Sequence, residues 1–192
     1  MKTTGIRNTI VYWLAEEIYY LNHIFIDKYI PKTSRTFDQM EQAARSGKQD
    51  LVEGSYEIST EGNLKLSGVS RASYPELIED YKDFLWKKEL SVWEKNDPRV
   101  LNIRRRMVNI HETHVSHASH ESHAISFGDT EGFANLLITL CWKQLYLLDR
   151  FLRGTEKRFV KEGGFREKLF RKRRAYNEFN KAYETHRSHD IT

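Results

Sequence analysis

Residues 133–152, FANLLITLCWKQLYLLDRFL, decide the fold class. By hydropathy alone the stretch is nearly long enough to span a bilayer, which takes about 20 apolar residues. Asn135, Lys143, Gln144, Asp149 and Arg150 interrupt it, however, and hydrocarbon offers those groups nothing to bond with. By periodicity, Phe133, Leu137, Leu140, Leu147, Leu148 and Phe151 follow the three-and-four spacing of one helix face. The stretch reads as an amphipathic helix that buries a stripe against protein, and no membrane partner is expected. Asp129 or Thr130 starts it, and Gly163-Gly164 stops it.

Three more segments carry the same period. In the first, Ile10, Trp13, Leu14, Ile18, Leu21 and Phe25 form the stripe and Pro31 ends it. The second opens at Thr36, with Gln39 three residues on as a capping-box pair, and its stripe is Phe37, Met40, Ala44, Gly47, Leu51 and Gly54. The small residues there would let another helix approach closely. The third starts at SYPEL, with Ser73 as cap, Pro75 in the first turn and Glu76 completing the box. Leu77, Ile78, Tyr81, Phe84 and Leu85 are its stripe, and it is expected to continue to Trp93. STEGNLKLSGVSRAS, before it, reads as a loop or broken helix, and residues 99–128 as a long connector. After the glycine pair, FREKLFRKRRAYNEFNKAYE is a short basic amphipathic helix, followed by a polar tail expected to fray. With no convincing strand alternation, the fold class is all-α: an antiparallel up-down four-helix bundle with a C-terminal basic helical extension. Residues 1–128 hold the first three helices and a His-rich connector; residues 129–192 hold the fourth helix, the basic suffix helix and the tail.

A chain of 192 residues with 39% hydrophobic and 30% charged residues can bury a real core. The lone Cys141 cannot form an internal disulfide, which suits a reducing compartment. The N-terminus is a poor signal peptide, since Glu16 and Glu17 cut its apolar run short, so a cytoplasmic protein is expected. Charge is uneven: residues 1–100 carry −2, whereas residues 101–192 carry +6. A basic rear half points to a polyanionic partner.

That charge concentrates between Arg153 and Arg174, where ten Lys/Arg meet three Glu. Arg166, Lys168, Arg171, Lys172, Arg173 and Arg174 are the candidate phosphate contacts, and Arg104, Arg105 and Arg106 could extend them. Phe159, Phe165, Leu169 and Phe170 interleave with the cations, so one face is expected to pack while the other faces solvent. The bland alternative is a solvated face, or one that docks on an acidic partner or neighbouring subunit. Anionic membrane binding is disfavoured because the apolar face is short.

Histidines 111, 114, 117, 120 and 123 recur every three residues. On an α-helix they would spread over about 240° and could not share one ion, although neighbours such as His114, His117 and His120 could bind zinc or nickel weakly. A solvated connector is the plainer reading, with pH sensing as a further alternative. HETH is one residue short of the HExxH zinc motif. Arg45, Gln49 and Glu53, four apart on the second helix, could form a polar ladder, with a contact site at an oligomer centre as the functional alternative. No glycine-rich phosphate loop or nucleophile elbow is present, so no enzyme and no cofactor are expected.

TFDQMEQAARSGKQDLVEGS with LKLSGVSRASYPELIEDYKDFLWKKEL resembles the four-helix-bundle proteins related to those encoded in 23S rRNA intervening sequences. FANLLITLCWKQLYLLDRFLRGTEKRFVKEGGFREKLFRKRR resembles the suffix region of a longer subgroup of that family. The resemblance implies an up-down bundle that forms a ring-like homo-oligomer, often a pentamer, with no established catalysis. A relative of that family is the accessory subunit of diversity-generating retroelements, which works with a reverse transcriptase and nucleic acid. Family patterns fall on Arg45, Gln49, Glu53 and Gly54, and on Arg71 and Asp80, without defining a catalytic role. The histidine track departs from the family's connector.

Overall fold

The computed structural model describes the backbone of residues 5–106 and 129–189 and the side chains of residues 5–105 and 129–181. Among the described residues the chain is all-α, without strands. A 3-10 turn at Ile6–Asn8 leads into α1 (Ile10–Tyr29), α2 (Arg35–Tyr56), α3 (Thr60–Lys87), α4 (Pro98–Arg106), α5 (Thr130–Glu162) and α6 (Phe165–His189). α1 packs on α2 and α5, and α3 packs on α2 and α5, so these four helices close a cycle around one core. That core draws on residues from Val11 to Leu148 and therefore crosses the expected 128/129 boundary. No helix among the described residues is long and apolar enough to cross a membrane.

The stripes account for the core. All six positions expected on α2 are buried, as are Leu77, Ile78, Tyr81, Phe84 and Leu85 on α3. Phe25 sits at the centre, fully buried, with ring centroids of Tyr81, Phe84 and Phe133 at 5.2, 4.9 and 5.5 Å in edge-to-face arrangement. This arrangement suits the quadrupoles of the rings and ties α1, α3 and α5 together. Cys141 is fully enclosed in the same core, and burial pushes its thiol pKa far up. It packs as a small hydrophobe.

Polar side chains inside the core bridge helices. Asn22 Nδ2 donates to the Met40 carbonyl at 3.1 Å, and Tyr81 Oη donates to Asn22 Oδ1 at 2.6 Å, joining α1, α2 and α3. Gln144 Nε2 donates to the Val11 carbonyl at 2.8 Å, joining α5 to α1.

Three boundaries differ from the sequence reading. α2 is capped by Ser34, whose hydroxyl accepts from Thr36 N–H, rather than opening at Thr36. α3 begins not at Ser73 but at Thr60, with Ser59 as cap accepting from Gly62 N–H at 2.9 Å. The segment read as a loop or broken helix is therefore continuous helix, and Pro75 lies inside it. The reason is close packing. Ser67, Ser70 and Ser73 are buried, Ser70 Oγ donates to the Gly47 carbonyl at 2.5 Å, and Asn63 Nδ2 donates to the Gly54 carbonyl at 2.6 Å. A Cβ on Gly47 would stand 2.9 Å from the Tyr74 ring, so α2 and α3 approach as only a glycine permits. α3 also ends at Lys87, six residues short of Trp93. Glu89 takes a left-handed φ of 55°, Leu90 N–H bonds the Leu85 carbonyl at 2.9 Å, and Glu89 N–H bonds the Trp86 carbonyl at 3.0 Å. These paired bonds form a Schellman closure. Finally, α4 occupies the start of the expected connector, and α6 extends to His189, into the segment expected to fray.

Candidate nucleic-acid interface

The turn into α6 is set by Gly163, whose φ of 77° closes α5 while its N–H bonds the Phe159 carbonyl at 2.8 Å. Beyond it the cationic residues stand in water. From Phe165 to Lys181 every side chain is exposed except the half-buried Asn180. The expectation of one packed face and one cationic face is therefore not met, since Phe165, Leu169 and Phe170 are exposed as well. The core stripe of α5 ends at Leu148, and among the described residues no core side chain lies beyond the glycine pair.

At about 100° per residue, the cations surround α6. Arg166 and Arg173 share one side, Arg171 and Arg174 occupy the next, and Lys168 and Lys172 stand beside Phe165 and Leu169. Local partners compensate half of them. Lys168 Nζ lies 3.4 Å from Glu162 Oε2, Arg171 Nη2 donates to the Glu162 carbonyl at 2.7 Å, and Arg174 Nε pairs with Glu178 Oε1 at 2.8 Å. Exposed pairs of this kind are held weakly. Arg166, Lys172 and Arg173 have no ion pair or hydrogen bond among the described residues.

The Arg104–Arg106 cluster does not extend this surface. It lies on α4, against the first half of α5, about 30 Å along the helix from the glycine pair at 1.5 Å per residue. Its surroundings form a second feature that no sequence motif marked. After α3 the chain runs as a strap across the start of α5. Asn135 accepts from Trp93 N–H at 2.8 Å and donates to the Ser91 carbonyl at 2.9 Å, while Glu131 accepts from the Trp93 indole at 2.6 Å. The Trp93 indole bond holds the Glu131 carboxyl below its usual pKa. Val100 and Ile103 are then the buried side chains of α4, whose other described residues are exposed or half-buried. Between strap, α4 and α5 lies a cleft of about 720 Å³ whose lining includes Trp93, Lys95, Arg104, Trp142, Lys143 and Tyr146. Its sequence signal was modest: Trp142, Lys143 and Tyr146 lie off the buried stripe of α5, but their partners come from a distant segment.

The remaining candidates are placed as follows. Arg45, Gln49 and Glu53 lie on the exposed face of α2, where Gln49 Nε2 donates to Glu53 Oε1 at 3.3 Å. Arg71 Nε pairs with Asp149 Oδ1 at 2.5 Å, linking α3 to α5. His114, His117 and His120 lie outside the described residues. Among the described residues, no cluster of three or more His, Cys, Asp or Glu is arranged to hold a metal.

Asp80, half-buried on α3, has its pKa raised to about 6 by burial, with Asp83 and Glu76 adding repulsion and Lys87 opposing them. A carboxyl raised on folding favours the native state while protonated, and this contribution is lost as pH rises from about 4 through 6. Asp80→Asn is accordingly expected to raise the melting temperature relative to the parent at pH 7.5 and to leave it little changed near pH 4. Equal shifts at both values, read by thermal denaturation, would count against the burial account.

Comparison with known protein families, curated proteins and solved structures gave no match.

Proposed function

We propose that this chain is a non-catalytic accessory protein, an antiparallel up-down four-helix bundle of the intervening-sequence type. It assembles as a homo-oligomer, a pentamer by the resemblance, and binds RNA or structured nucleic acid through α6. Its setting is cytoplasmic, beside a protein partner such as a reverse transcriptase. The observation that carries the reading is the exposure of Arg166, Lys172 and Arg173 on α6, with neither carboxylate partners nor a core to pack against among the described residues. Such cations displace counterions from phosphates, so affinity falls steeply with salt. Repetition around an oligomer would multiply weak contacts.

The test is binding of a labelled structured RNA as a function of salt. Replacing Arg166, Lys172 and Arg173 together with Gln is expected to reduce the slope of log affinity against log salt by about 2–3. An unchanged slope refutes the assignment.

One observation favours a second reading, an interaction scaffold. Phe165, Leu169, Tyr176 and Phe179 lie on one stripe of α6 and are all exposed. A neighbouring subunit or acidic partner would cover that stripe. If the purified particle carries no nucleic acid by ultraviolet absorbance and shifts no RNA at low salt, this reading replaces the first.

A further inference from the structure

We propose that the cleft between the strap, α4 and α5 is a second site, one that takes the unpaired bases of a single-stranded nucleic acid. It lies about 30 Å along α5 from α6, so it stands or falls separately from the α6 reading.

Charge is the first argument. Lys82, Lys95, Arg104 and Lys143 line the cleft, and among the described residues no carboxylate does. Lys82 is paired with Glu79 at 2.7 Å, but Lys95, Arg104 and Lys143 have no ion pair among the described residues. Arg104 is steadied by donating from Nη1 to the Lys95 carbonyl at 3.3 Å, which leaves its charge uncompensated. A concave surface lined by one sign of charge concentrates anions.

The aromatic rings make the ligand more specific than an anion. Trp142 and Tyr146, one turn apart on α5, are 50% and 53% exposed, although tryptophan and tyrosine in a monomer surface are normally more covered. Lys143 and Arg150 lie 5.6 and 5.8 Å from the Tyr146 ring centroid, placing positive charge over an exposed ring. Trp93, on the opposite wall, is held by Glu131 and Asn135 and has Arg99 stacked 3.9 Å from its ring centroid. Rings that stack bases, interleaved with cations that meet phosphates, are the arrangement by which single strands are held without sequence preference.

A duplex keeps its bases stacked inside and offers the rings no partner. The volume, about 720 Å³, falls in the range of small-ligand sites and admits bases but not a double helix. An acidic peptide would satisfy the cations and leave Trp142 and Tyr146 idle.

The experiment uses the full chain, with tryptophan fluorescence followed during titration with a short oligouridylate, with a duplex of equal length and with polyglutamate. Oligouridylate is expected to quench the fluorescence, and Trp142→Ala and Tyr146→Ala are each expected to weaken its binding about tenfold. Trp142→Phe should retain most of the affinity, which separates stacking from misfolding. Combined Arg104→Gln and Lys143→Gln should lower the salt slope by about 1. The Gln variant of Arg166, Lys172 and Arg173 should leave quenching at the cleft in place, so failure of the α6 reading and failure of this one give different patterns. Equal affinity of the parent and Trp142→Ala overturns the proposal, as does binding of duplex as tight as that of oligouridylate. Polyglutamate that binds as well as oligouridylate at the same salt assigns the cleft to an acidic peptide instead.

Discussion

Phe25→Ala is expected to lower the free energy of unfolding by about 3–5 kcal/mol, the range for truncating a buried aromatic ring. Phe25 is fully enclosed, and its ring meets those of Tyr81, Phe84 and Phe133, so the truncation removes contacts to α3 and α5 at one stroke. Three stiff rings converging on the gap cannot collapse into it without leaving their rotamers, which keeps the cavity open and the cost high. Since small domains are stable by only about 5–15 kcal/mol, the variant should be close to its unfolding threshold at 37 °C. Phe25→Leu, which refills part of the volume, should cost less than half as much. Urea denaturation checks both: the midpoint should fall with an unchanged slope, and a loss under about 1 kcal/mol for Phe25→Ala would show that the aromatic cluster is not the centre of the core.

The second large effect is expected at the hydrogen bond beneath that cluster. Asn22→Leu leaves the Tyr81 hydroxyl without its acceptor at 2.6 Å, in a site where neither residue reaches solvent. An orphaned buried hydroxyl costs about 1–3 kcal/mol. Burial already drives the Tyr81 phenol pKa well above its ordinary value, so ionisation offers it no relief. Tyr81→Phe alone strands Asn22 Oδ1 and should cost about 1–2 kcal/mol. The pair together should cost less than the two separately, by about 1 kcal/mol, because the double variant leaves neither group stranded across that bond. Strict additivity in the double-mutant cycle would show that the two side chains act independently.

How far the sequence could be read depended on whether a contact was written in apolar residues. The stripes of α1, α2 and α5 are repeated hydrophobics, and the Asp129 cap and Gly163 stop bracket α5, so those elements were legible. The first half of α3 was not. Its buried face is serine, and it meets Gly47 and Gly54 across a gap too narrow for larger side chains, so the composition that permits the closest packing also looks like a loop. Pro75 reinforced the error, because it resembles a first-turn proline and is tolerated here on an exposed face of the helix. The cationic residues of α6 were countable in advance, but their dispersal around the helix follows only from continuous helical backbone. The cleft was beyond reach, because it depends on Asn135 and Glu131 gripping a strap about 40 residues away in sequence.

The glycine junction divides the chain's selective constraints as well as its helices. On one side, a substitution must fit a jigsaw in which Phe25, Tyr74 and Gly47 leave little slack. On the other, the exposed residues from Phe165 to Lys181 touch so little that their charge and register can drift with few consequences for folding. A lineage could therefore alter this arm while inheriting an unaltered scaffold.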